Sequence, residues 1–364
     1  MPVACLNIQI QRYEDSAIKG LGKMALLIFG PPETRRAYIA VMRLVATALG
    51  TRPFEGDEAE LVTMFAALEG CAGCHGFDEP LDFSDLLGPN EPWADADAAI
   101  AEILKGLTSE SDRLEAVHAG LLVSLFADDP DPEATAAAHW VATRLGVDDV
   151  MARNIEAIAN ENSAASKADL FRRFLSERIG IDKKVIADHM ERHNLETITT
   201  PETISTYHRL IADAPEGSLG AMMRVFYNEA KFDMPGKPGT PLPVEFLGSH
   251  DVHHVLASYN TSAQGEVYTA VFNAANASAG IGWLSVVLLQ WHQGIKLGVF
   301  PEGHSHLDPE MMANAALRGS QTQTDIYDAN WDWMSLLALP LADVRESLKI
   351  PEGGQVNPGD SWSA

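Results

Sequence analysis

Residues 250–266 read HDVHHVLASYNTSAQGE, and the layout of that stretch decides how the second half of the chain folds. Three imidazoles (His250, His253, His254) and two carboxylates (Asp251, Glu266) fall within seventeen residues of otherwise largely apolar sequence. As a helix, the segment puts His250 and His254 one turn apart on the same face. Two imidazoles at that spacing can grip one cation. Asp251, adjacent to His250, can reach the same ion or orient one of its ligands. Glu266 joins them only if the chain reverses. Residues 257–260, Ala-Ser-Tyr-Asn, form a helix end, and Thr261 with Gln264 three residues later reads as a capping box. Two helices meeting at a tight corner then bring His250, Asp251, His254 and Glu266 to one point. His and Asp on helix surfaces often serve solubility alone. HDxxH followed after eleven residues by Glu is a much more specific pattern.

Outward from this stretch the pattern stays helical. Apolar residues at helical spacing run over 33–49, stopping at Gly50, and over 57–68, stopping at Gly70. Residues 71–94 are irregular, rich in Gly, Pro and Asp. Helical periodicity returns over 95–107, 111–126, 132–145 and 147–160. Asn160 to Ala168, NENSAASKA, is polar and small, and reads as a linker. Beyond it the helical pattern covers 169–180, 184–194, 219–232, 266–275, 282–291, 311–321 and 325–339. Residues 233–243 hold four prolines and two glycines, a connector or one wall of the site. No alternating strand pattern of useful length occurs. The expected fold is all-α, with two helical domains over 1–165 and 166–352. The second is a helical bundle carrying the metal site, and 353–364 is a flexible tail.

The 364 residues carry a net charge of −25, and both halves are acidic. Such a surface repels polyanions, so nucleic-acid binding and purely electrostatic attachment to anionic lipid are disfavoured. A neutral, hydrophobic ligand remains permitted. The longest apolar run, AGIGWLSVVLLQW over 279–291, is short of the about 20 residues that span a bilayer. Arg12, Glu14 and Asp15 interrupt the N-terminus, which lacks a signal-peptide core. The expected location is cytoplasmic.

Cys71-Ala-Gly-Cys74-His75 matches a c-type haem attachment pattern, without the export signal that haem attachment needs. A zinc or redox role, or plain loop cysteines, are the other readings. Asp128, Asp129, Asp131 and Glu133 could offer oxygens to a cation, but an acidic run ahead of a helix more simply complements its positive end. His304 and His306, in a Pro/Gly loop, could be outer ligands or surface histidines. A set of two imidazoles and two carboxylates suits zinc, ferrous iron, manganese or cobalt better than calcium. Such sets usually leave a coordination position for water or substrate.

The HDxxH–Glu pattern resembles the signature of the ubiquinone-biosynthesis family known as the fourth coenzyme Q protein. LIADAPEGSLG over 210–220 looks like the segment ahead of that family's core. WDWMSLLALPLADVRESLKIPE over 331–352 looks like its PL-x-x-x-R-x-x-L-x-I ending. The resemblance covers roughly residues 168–352. One departure is Val252-His253, where the family usually has an aromatic residue; His253 is an extra imidazole that could compete as a ligand. Phe in place of His253 is therefore expected to be mild. SLFADDPDPEATAAAHWVATRLGV over 124–147 looks like the helical TerB-type domain.

The resemblance implies a metal-binding protein of ubiquinone biosynthesis. Zinc or iron would be held by His250, Asp251, His254 and Glu266 near a prenylated aromatic-ring intermediate. It also implies loss of the ring carboxyl and its replacement by hydroxyl, or, alternatively, a non-catalytic lipid-binding scaffold that organises quinone-biosynthesis enzymes. Helices over 219–232 and 282–291 are the candidate walls of a groove for an isoprenoid lipid tail. Contact with other quinone-biosynthesis proteins, peripheral contact with the inner membrane and homo-oligomerisation belong to the same expectation.

Overall fold

Prolines and short polar side chains set where the helices begin. In the computed structural model, which describes residues 30–71, 80–88, 95–277, 280–299, 301–357 and 360–363, the chain is all-α. No strand occurs among the described residues. The first half holds α1 (Pro32–Ala46), α2 (Asp57–Gly70), α3 (Ala96–Gly106), α4 (Glu110–Ser124), α5 (Pro132–Arg144) and α6 (Val150–Glu161). The second holds α7 (Ala164–Ile179), α8 (Lys183–Arg192), α9 (Pro201–Ala212), α10 (Leu219–Ala230), α11 (Val244–Ala257), α12 (Ala263–Asn276), α13 (Gly280–Val287), α14 (Pro309–Gln321) and α15 (Leu341–Leu348).

Proline opens α1, α5, α9 and α14, where its fixed φ suits the first turn and its missing N–H is no loss. Asp95, Asp131, Asp149, Asp182 and Asp308 accept backbone N–H groups at the starts of α3, α5, α6, α8 and α14. Ser109 and Asp112 close a reciprocal cap on α4. Asp131 is thus a cap, also paired with Arg52 at 2.5 Å.

α1 is buried around most of its circumference, with α2, α3, α4 and α5 about it. Arg35 of α1 lies in that core and pairs with Glu69 at 3.1 Å. α12 is the matching buried helix of the second half, with α14 tight against it. Gly319 permits the approach, since a Cβ there would stand 2.1 Å from the Phe272 carbonyl oxygen. The buried apolar side chains of both halves form one continuous cluster. His292 Nε2 donates to the Phe126 carbonyl at 2.9 Å, and Gln293 Nε2 reaches the carbonyls of Leu125 and Ala127. No described helix is long and apolar enough to cross a membrane.

Several local expectations give way. The linker over 160–168 shrinks to Asn162 and Ser163: Asn162 ends α6 in the left-handed conformation, and Ser163 caps α7. Residues 325–339 are not a helix but turns and a 3-10 turn over Trp333–Leu336. Asp325 and Asp328 accept the backbone N–H groups of Tyr327 and Asn330, bonds that compete with a helical ladder. The helix over 282–291 is α13 followed by a π-helical turn, Leu288–His292. Residues 353–357 and 360–363, within a stretch expected as a flexible tail, lie against the body. Trp362 is buried, and Gln355 and Val356 donate to the Ser258 carbonyl. The Pro/Gly loop at 233–243 runs along α9, where His208 Nε2 donates to the Pro235 carbonyl at 2.8 Å. Cys71 is disulfide-bonded, and Cys74 and His75 lie outside the described residues.

Candidate metal centre

α11 is buried on almost every side, which is unusual for a helix with three histidines and an aspartate. Each of those polar groups therefore needs a partner. α11 ends at Ser258, in the left-handed conformation (φ 63°), and α12 starts five residues later. The cap of α12 is Ser262, whose Oγ accepts from Gly265 N–H, rather than the expected Thr261. Asn260 Oδ1 fixes the corner by accepting from Ser262 N and Oγ at 3.1 and 2.7 Å. Gly265 is required there, because a Cβ would fall 2.1 Å from the Asn260 carbonyl oxygen.

That corner brings His250, His254 and Glu266 together. His250 Nε2 and His254 Nε2 are 3.1 Å apart. Glu266 Oε2 lies 3.1 Å from the first and 3.5 Å from the second. Three ligands bound at about 2.1 Å to one ion sit about 3 to 3.5 Å from one another, so the donor set and its spacing both fit a divalent metal. Among the described residues this is the sole group of three or more potential ligands brought within metal-binding reach. His304 and His306 are not in it. They stand at the surface opposite Asp129 and Asp128, at 3.6 and 3.2 Å.

Neighbouring groups aim the ligands. His254 Nδ1 lies 3.0 Å from the Tyr259 carbonyl, which can only accept, so Nδ1 carries the proton and Nε2 presents its lone pair to the centre. Thr269 Oγ1 adds a contact at 3.2 Å from the next turn of α12 beyond Glu266. Phe226 of α10 packs against the His254 ring, and Phe246 stacks beside His250. His254 and Glu266 are almost sealed, while the His250 side chain keeps 30% of its surface in solvent. Access to the centre is from the His250 side.

Burial alone would raise the Glu266 carboxyl, but the two imidazoles hold it far below the usual carboxylate range. Burial would likewise lower the His254 imidazole. The charge and hydrogen bond of Glu266 outweigh it and raise that imidazole. Without an ion, protons therefore compete for the centre.

Asp251 is buried beside the group but outside it. Its Oδ2 accepts the Tyr227 hydroxyl at 2.6 Å, and Tyr227 meets the Tyr207 hydroxyl at 2.6 Å. Burial pushes the Asp251 carboxyl up to about 6, against the pull of His250 and Tyr227. His253 points elsewhere. Its Nε2 donates to the Ile326 carbonyl at 2.8 Å, its Nδ1 accepts from Asn273 at 3.1 Å, and its ring stacks on Trp331. It is a core residue and no ligand. Tyr227, Tyr259 and Thr269 escaped the sequence reading. Thr269 alone carried a signal, its helical spacing of three from Glu266.

Comparison with protein families, with curated proteins and with solved structures finds no match for this chain.

Proposed function

We propose that this protein binds one divalent metal at His250, His254 and Glu266 and acts on a prenylated aromatic ring bearing a carboxyl group. The observation that carries the reading is the two-imidazole, one-carboxylate group with its open side at His250. That donor set is the one non-haem ferrous enzymes use, and it also suits zinc. The substrate class rests on the resemblance of HDxxH–Glu and the C-terminal PLADVRESLKI segment to the ubiquinone-biosynthesis family. A bound metal would supply Lewis-acid polarisation of the carboxyl and, as iron, chemistry with dioxygen. The chain's own part is to orient and to exclude water. Thr269 and the Tyr259 carbonyl keep His254 in one tautomer, and Tyr227 holds the carboxylate of Asp251. α10 flanks the centre through Phe226, and Val225 on that helix and Phe232 just past its end are exposed where an isoprenoid tail can lie.

The reaction replaces the ring carboxyl by hydroxyl. One dioxygen and a two-electron donor with two protons give the phenol, one carbon dioxide and one water. The test is purified protein loaded with ferrous iron, with zinc-loaded protein as the redox-inert comparison, given a prenylated hydroxybenzoate under air with a reductant, and analysed by mass spectrometry. Formation of the decarboxylated, hydroxylated ring is expected, with none from the Glu266→Gln variant. Metal-loaded protein that binds the lipid without turning it over assigns the scaffold role instead. Contact with a membrane surface and with other enzymes of the same pathway belongs to this proposal.

A further inference from the structure

The C-terminal end of α11 lies one turn beyond His254, and an α-helix leaves its last four carbonyls without partners. Here every one of them is taken up. The His254 carbonyl accepts from Ser258 N and Tyr259 N. The Val255 carbonyl accepts from Arg345 Nη2 at 2.7 Å and the Leu256 carbonyl from Arg345 Nε at 3.1 Å. The Ala257 carbonyl accepts from Arg318 Nη1 at 2.8 Å. Arg345 Nη2 also reaches Ser258 Oγ at 2.7 Å, and Arg318 Nη1 reaches the Tyr259 hydroxyl at 2.9 Å. The two guanidiniums stand close enough that burial and the charge of Arg318 both lower the proton affinity of Arg345. Placing like charges together is costly. The negative end of the helix, and the carbonyls that the guanidiniums pair, offset that cost.

We infer that Arg345, with Arg318 beside it, is a positioning residue for the metal centre. The path is short. The two arginines fix the turn at Ser258 and Tyr259. The Tyr259 carbonyl then holds His254 Nδ1, which aims His254 Nε2. The same turn sets the corner through which Glu266 reaches α11. This gives a role to the arginine of the PLADVRESLKI segment, which lies on α15 and touches no ligand itself. A lysine there keeps the charge but loses the planar fork that spans two carbonyls.

The inference rests on the metal reading of His250, His254 and Glu266, so the experiment uses cobalt(II) on the full chain. Affinity is read by competition with a chelating dye, site geometry by the visible cobalt absorption, and folding by circular dichroism. Arg345→Met is expected to weaken cobalt binding about tenfold or more and to shift the absorption bands, with Arg345→Lys recovering part of the loss. A merely structural role would lower thermal stability and leave the bands in place. A folded Arg345→Met chain with wild-type affinity and spectrum overturns the inference. If Arg345→Met does not fold, Ser258→Ala and Arg345→Lys take its place, and wild-type cobalt binding in both is equally fatal. A wild-type chain that takes up no cobalt overturns the metal reading itself, a failure distinct from variants that bind as well as wild type.

Discussion

Tyr227 of α10 donates its hydroxyl to Asp251 Oδ2 of α11 at 2.6 Å, and Asp251 stays outside the group formed by His250, His254 and Glu266. The carboxylate next to His250 is thus occupied from behind, by a tyrosine that Tyr207 holds in turn. Both hydroxyls are buried with the carboxylate among apolar side chains, where an unpaired oxygen is costly.

Tyr227→Phe removes that donor and keeps the ring. The Asp251 oxygen is left buried without a partner, and a loss of about 1–3 kcal/mol in unfolding free energy is expected. Urea unfolding of the metal-free chain measures it. Unchanged stability would show that the Tyr227 bond contributes nothing.

His253→Phe reverses an expectation. From the sequence, Phe at this place looks benign, since it restores an aromatic residue inside HDxxH. In the fold, His253 is fully buried and bridges the Ile326 carbonyl and the Asn273 amide. Phe supplies neither a donor nor an acceptor, so a loss of about 2–4 kcal/mol is expected from two stranded groups. Metal content per folded molecule stays at the wild-type level, because His253 is no ligand. A melting curve like that of wild type would contradict the structural role.

Most helices are legible in their apolar spacing, but α9 and α15 are not among the segments that the pattern marks. The failures have physical causes. Over 325–339 apolar residues recur at helical intervals, but Asp325 and Asp328 bond locally and win. The linker at 160–168 looked loose by composition, yet Ser163 is a good cap and starts α7. At the site, spacing located His250, His254 and Glu266. It could not separate Asp251 from them, because Tyr227 lies outside the motif and carries no periodic signal. Arg345 belongs to a recognisable segment, but its reach to the end of α11 is purely tertiary.

Glu115 gives a pH prediction away from the centre. Burial pushes its carboxyl up to about 7, with Ser111 pulling it back and Asp112 adding to the rise. The native state then holds a proton that the unfolded chain gives up at its ordinary value, 4.5. Stability from this group is complete below that value and is lost as pH rises through about 7. Glu115→Gln has no proton to lose. Relative to wild type it is expected to gain stability between pH 5 and pH 8, by up to about 2 kcal/mol once solvent screening is allowed for. Thermal melts of both chains at the two pH values check the sign. A difference that is flat or opposite would mean Glu115 is not held protonated.

Metal removal should separate the centre from the scaffold. An ion that binds the native state alone adds RT ln(1 + [L]/Kd), about 2.7 kcal/mol when free metal is 100 times Kd. A chelator should therefore lower the melting temperature of the wild-type chain by several degrees while helical content at room temperature is kept, because the apolar cluster is independent of the ion. Glu266→Gln keeps the volume of the side chain but offers no anion to the metal. Its metal content should fall at least about tenfold, since even outer partners of a ligand are worth that much. Its melting temperature should then be indifferent to the chelator. In the wild-type chain the metal increment should shrink as pH falls, because the His254 imidazole beside Glu266 is raised in proton affinity and protons displace the ion. Metal analysis with paired melts at neutral and mildly acidic pH reads all of this. A Glu266→Gln chain that carries a full equivalent of metal, or melts lower with chelator as wild type does, would remove Glu266 from the ligand set.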